Sequence, residues 1–189
     1  MKKWFAVVSL GVAAGFAVSA VADDDHNGDR QKRAFRAELR GLNEVPSVST
    51  EASGQFYMVV NKDEESFTFW ETYSDLAFEA AQSHIHFGQH HTNGGISVWL
   101  CQSTVNPAPV SVRPRVATCP PHSTTGPITA TIRAEDVVGP AGQGISATDF
   151  AELLAAIRAG AAYANVHSGV LGNPNPTPLV KDLGMKGAE

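Results

Sequence analysis

Cysteine is scarce in this chain: Cys101 and Cys119 are the whole complement. That excludes a thiolate-rich metal cluster and a multiply cross-linked mini-scaffold. One disulfide is the natural use of an even pair in an exported chain, ahead of two free thiols or two metal ligands. Excess positive charge is missing too. Fourteen Lys and Arg face 19 Asp and Glu, for a formal net charge of −5, so no basic face tracks phosphates and nucleic acid is not an expected partner. No serine sits in a Gly-x-Ser-x-Gly turn, which removes the nucleophile elbow. Asn93-Gly94-Gly95 leads into a strand pattern rather than a helix, so it reads as a turn and not a phosphate cradle. No spacing pairs Glu38, Glu44 or Glu71 for general acid/base work.

What is present begins with an export signal. Lys2 and Lys3 precede the apolar run "WFAVVSLGVAAGFAV", and Ala20 to Ala22 offer small residues before "DDD". This is the layout of a cleaved secretory leader over 1–22. The run is shorter than the roughly 20 residues of a membrane span, so no stable span is expected after cleavage. Loss of the two lysines takes the net charge from −5 to −7. Residues 23–33 carry only one apolar-free polar stretch, "DDDHNGDRQKR", and read as a disordered, solvated tail. The rest, 34–189, is long enough for one domain with a real core. The expected location is periplasmic or extracellular.

Within that domain the periodicity is mostly two. "AFRAEL" alternates Phe35, Ala37 and Leu39 with charged residues, the pattern of a half-buried strand. "GQFYMVVN" and "FTFWETY" flank the polar turn "NKDEES" as a hairpin. "SHIHF", "ISVWLC", "ITATIRA" and "AYANVH" supply further strands. One helix is expected at about 148–159. Ser146 or Thr148 would cap it, Asp149 falls in its first turn, Phe150, Leu153, Leu154 and Ile157 form its apolar face, and Gly160 stops it. The class is all-β: an antiparallel sandwich or barrel with one short crossover helix. The segment between the cysteines is rich in proline and serine and could not order itself by burial. A disulfide there would stabilise by roughly 3 kcal/mol. Trp70 and Trp99 are expected to face outward, where they could line a binding patch.

Four motifs in order, "FRAELRGLNEVPSVSTEASGQF", "SHIHFG", "GPITATIRAEDV" and "FAELLAAIRAGAAYANVHS", resemble the signposts of the chordin-type (CHRD) domain family. The likeness runs from about Ala34 to Ser168 and is carried by Asn43-Glu44-Val45-Pro46, His84-Ile85-His86 and Tyr163 through His167, Asn165 included. It implies an immunoglobulin-like β-sandwich that binds or interacts, with an unassigned extracytoplasmic ligand or protein as partner, and it implies no particular reaction. Where the family closes with a Gly-Glu-Ile-Arg-Gly strand, this chain runs through an Asn/Pro-rich insert to "GAE", which is expected to be the start of such a strand, cut short. That would leave a neighbouring strand edge open.

Four of the seven histidines fall within eight positions: His84, His86, His90 and His91. Residues two apart on a strand share a face, so His84 and His86 would point together, as would Asn165 and His167. His84, His86 and His167 would supply three nitrogens suited to copper or zinc, with His90, His91 or His122 as a fourth ligand. The alternative is a structural network, each imidazole bonded to a backbone carbonyl or to a buried carboxylate such as Glu71. Glu44 is expected to stabilise the turn beside Pro46. "HIHFG" is also similar to the His-Val-His-Glu-Phe-Gly copper motif of copper/zinc superoxide dismutase. That implies a copper or zinc enzyme as a rival, although the second metal loop and the Gly-Asn-Ala-Gly-x-Arg segment of that family are missing here. A purely structural extracytoplasmic domain is the third reading. No catalytic residue is assigned.

Overall fold

A computed structural model describes residues 32–169 and the backbone of a two-residue strand at 186–187. The expected leader, most of the polar tail and the Asn/Pro-rich insert lie outside the described residues. The first strands follow their alternation directly. In β1 (Ala34–Arg40) Phe35, Ala37 and Leu39 point inward while Arg36, Glu38 and Arg40 meet solvent. β2 (Ser53–Val60) and β3 (Ser66–Ser74) form the expected hairpin, with Val60 opposite Phe67 at its closed end. Phe56 and Phe69 stack across it with ring centroids 5.9 Å apart.

The remaining strands are β4 (Ala80–Phe87), β5 (Gly95–Gln102), β6 (Ala117–Thr118), β7 (Ile128–Arg133), β8 (Ala162–Ser168) and β9 (Lys186–Gly187). They complete two sheets, in the orders β7-β3-β2-β1-β9 and β6-β5-β4-β8. The result is the expected all-β sandwich. The strand pairs are antiparallel except β5 with β6, which run parallel. β9 pairs with the outer edge of β1, placing Gly187 opposite Phe35. That part of the edge, expected to lie open, is therefore paired.

α1 (Phe150–Arg158) crosses from β7 in one sheet to β8 in the other. It buries Phe150, Leu153, Leu154 and Ile157, and Phe150 stacks on Phe67 at 5.9 Å. Its N-cap is Asp149, whose Oδ1 accepts the Glu152 N–H at 3.3 Å, rather than Ser146 or Thr148. Thr148 is held at φ 69°, a left-handed geometry unlike the extended backbone of a capping residue. Gly160, at φ 70°, ends the helix as expected.

Cys101, in β5, and Cys119, immediately after β6, are joined in a disulfide. Gln102 is one of the side chains that tie the segment between them together, as Arg113 does through Nε to the Ala108 carbonyl at 2.9 Å. Gln102 Nε2 donates to the carbonyls of Arg113 and Val116 at 2.9 and 2.8 Å, and its Oε1 accepts from Ala108 N at 2.9 Å. Ala108 and Val112 are also buried, so this loop has a small core that composition alone did not suggest.

Candidate metal centre

β4 and β8 are neighbours in the four-stranded sheet, in an unbroken antiparallel register from Ser83↔Val166 to Phe87↔Ala162. Directly paired residues share a face. His84 therefore lies beside Asn165 and His86 beside Tyr163, while His167 is opposite Gln82 on the same side. Ser83, Ile85, Ala164 and Val166 take the other face, toward the sandwich core. The alternation expected for both histidine strands thus holds, and the sheet order adds the contact between them that spacing could not provide.

The three histidines His84, His86 and His167 converge. Each offers a ring nitrogen, and these atoms lie within 4.8 Å of one another. Ring centroids are 5.2 Å apart for His84 and His167, 5.4 Å for His84 and His86, and 6.0 Å for His86 and His167. All three are buried, His84 completely. Neither ring nitrogen of His84 has a hydrogen-bond partner among the described residues, nor does Oδ1 of Asn165 beside it. Burial holds the His84 pKa well below the usual imidazole range, with the neighbouring His167 and His86 adding to the effect. The ring is therefore neutral at pH 7, with a lone pair available.

His86 is oriented by its surroundings. Its Nδ1 lies 2.9 Å from the Gly94 carbonyl oxygen. A carbonyl only accepts, so Nδ1 carries the proton and the lone pair belongs to Nε2. Tyr163 stacks on the ring, with centroids 4.9 Å apart and planes 5° from parallel. The Tyr163 hydroxyl in turn accepts the Gly94 N–H at 2.9 Å. Burial raises the Tyr163 pKa, partly offset by the Gly94 bond and reinforced by Glu44, so this phenol stays neutral. Gly94 thus clamps both rings. A Cβ at that position would collide with the Phe87 carbonyl oxygen, so only glycine fits. The Asn93-Gly94-Gly95 turn signal was legible in the sequence, but its use as a clamp was not.

Trp99 and Glu44 finish the surroundings. Trp99, opposite His84 on β5, packs edge-on against it at 4.2 Å. It does face away from the core, as expected, but as a wall of this cluster. Trp70 is the exposed one, paired at 5.6 Å with Tyr57 on the outer face of the other sheet. Glu44 is buried, and Asn165 Nδ2 donates to its Oε1 at 3.4 Å. Glu44 Oε2 also accepts the Val45 N–H at 3.4 Å, so Glu44 contacts both its own turn and, through Asn165, β8. Glu71 is buried on the core side, where Ser83 Oγ donates to it at 2.7 Å. It therefore serves Ser83 and the core face, not the imidazoles.

His90, His91 and His122 do not join the group. His90 and His91 are exposed and pack on each other at 3.8 Å. His122 Nδ1 lies 3.0 Å from the Leu76 carbonyl oxygen, in a loop beside β3. Among the described residues, no fourth His, Cys, Asp or Glu completes the set.

A family model described as the CHRD domain covers residues 35–173. No curated protein and no solved structure matches the chain.

Proposed function

The chain belongs to the CHRD domain family, and from that premise we propose that it acts outside the cytoplasm as a non-enzymatic binding module. His84, His86 and His167 hold one transition-metal ion, copper or zinc, which fixes the surface that meets its ligand. The observation that carries this reading is His84, wholly buried with two unbonded ring nitrogens amid two further imidazoles. A buried polar group left unsatisfied costs roughly 1–3 kcal/mol. An ion removes that cost for the whole cluster at once.

The donors fit such an ion in type and nearly in place. Bonds of about 2.0–2.1 Å to one metal put ligand nitrogens roughly 3.5 Å apart. The observed spread of up to 4.8 Å closes with ring movements of under about 1 Å. The Gly94 carbonyl on His86 is the outer-shell contact that metal-binding histidines typically make. A leader-like amino terminus and a formed disulfide support export. No helix among the described residues is long and apolar enough to cross a membrane.

Metal analysis of the purified chain, beside a His84→Ala/His86→Ala variant, tests the reading. One equivalent of copper or zinc should accompany the wild type and be lost in the variant. Added ion at a hundred times its Kd should raise stability by about 2.7 kcal/mol in the wild type alone. The loaded protein should show no superoxide turnover; turnover would move it to the dismutase-like reading. A wild type with no metal and no melting shift with either ion would leave a structural domain only.

A further inference from the structure

We propose that the ion this site selects is cuprous copper, held by the three imidazoles and charge-balanced by the buried carboxylate of Glu44. This rests on the metal-site reading above and goes further, because it names the ion and its oxidation state.

Donor number is the first argument. Zinc in proteins takes four ligands, either four side chains or three with a water. Here three imidazoles converge, and among the described residues no further imidazole, thiolate or carboxylate joins them. The further oxygen at hand is Asn165 Oδ1, a neutral amide acceptor of the kind that suits hard ions rather than copper or zinc. Trp99, 4.2 Å from His84, and Tyr163, 4.9 Å from His86, wall the cluster with rings. Cuprous copper has a filled d shell and is content with three nitrogen donors near one plane. The cupric ion prefers a tetragonal set, which this cluster does not offer.

Charge is the second argument, and it is independent of the first. Three neutral imidazoles leave the full ionic charge in a buried, low-dielectric place, where uncompensated charge is costly. The shell contains one buried carboxylate, Glu44, bonded through Asn165, which is itself the cross-strand neighbour of His84. Glu71 stands on the other face of β4, engaged by Ser83. One carboxylate neutralises a monocation and leaves a dication half-compensated.

The test is competition on the full chain with its disulfide intact. Cu(I), kept reduced under ascorbate without oxygen, is titrated against the chromophoric chelator bicinchoninate, and Zn(II) against a zinc indicator. Binding of one Cu(I) per chain is expected, tighter than that of Zn(II). His84→Asn and His167→Asn should each abolish it, and a His90→Asn/His91→Asn variant should retain it. Glu44→Gln should weaken Cu(I) roughly ten-fold, and Zn(II), as a dication, at least as much. Zn(II) binding as tight as Cu(I), or Glu44→Gln leaving Cu(I) unchanged, would overturn the inference while keeping the metal site. Cu(I) lost only in the His90/His91 variant, or no binding of either ion, would overturn the site itself. Melting curves of each variant show whether a loss reflects unfolding, and two separate ligand variants keep the result decisive if one does not fold.

Discussion

Several described side chains are buried with a polar atom unpaired, and for two of them burial shifts the pKa strongly. His84 is one, and it sits where two other imidazoles and a carboxylate gather. Glu71 is the other, on the core face of β3, with Oε2 bonded to Ser83 and Oε1 without a partner. Burial pushes the Glu71 carboxyl up to about 8, against a smaller downward pull from the Ser83 bond. The folded state thus keeps a proton that the unfolded chain releases near pH 4.3. Stability from this site is complete below that value and is lost as pH rises toward 8. Glu71→Gln keeps an acceptor for Ser83 and has no proton to lose. Its stability, followed by melting, should gain on the wild type between pH 5 and pH 8, the free-energy gap reaching the order of several kcal/mol. Parallel melting profiles across that range would show that Glu71 does not titrate as described. Neither burial could be read from residue type. Glu71 occupies an inward position of an alternating strand, "FTFWETY", and only that parity hinted at it. His84 and His86 were legible as a same-face pair because period two is a property of any strand.

At the scale of elements, what sequence reading lacked was adjacency. β4 and β8 are separated by 74 residues between Phe87 and Ala162 in the chain, and no local pattern says that they pair. Their pairing brings His167 to His84 and turns two short motifs into one cluster. The same limit hid Gly94, whose role depends on Tyr163 from β8 and His86 from β4. The loop after β5 shows the converse. Its composition suggested disorder held only by a staple, yet Gln102 spans it with three hydrogen bonds. The disulfide and Gln102 should therefore contribute separately. Cys101→Ser/Cys119→Ser is expected to cost about 3 kcal/mol in denaturant unfolding, and native protein should contain no titratable thiol. Gln102→Ala should leave the disulfide formed and selectively speed amide exchange over 103–118. Equal exchange across the whole domain would mean that Gln102 does not organise this loop.

On the scale of the whole molecule, the sandwich was legible because its strands obey alternation and its helix obeys the 3.6 period. The match of the family to 35–173 then shows why the quoted signposts occur together. Glu44 follows β1, His84 and His86 belong to β4, and Asn165 and His167 belong to β8. Far apart in sequence, they meet on one face of the four-stranded sheet. The parallel β5–β6 pair and the β9 cap on β1 depended on tertiary packing and were not legible. One face of the described four-stranded sheet therefore concentrates polar, buried and mutually facing groups.

The account stands on three rings from two strands meeting at a single ion. X-ray absorption at the copper edge of the loaded full chain reads that arrangement directly. It should show a first shell of three nitrogens near ~2.0 Å, with the outer-shell scattering of imidazole, and a reduced edge. A shell built mainly of oxygen, or one unchanged in His84→Asn, would contradict it.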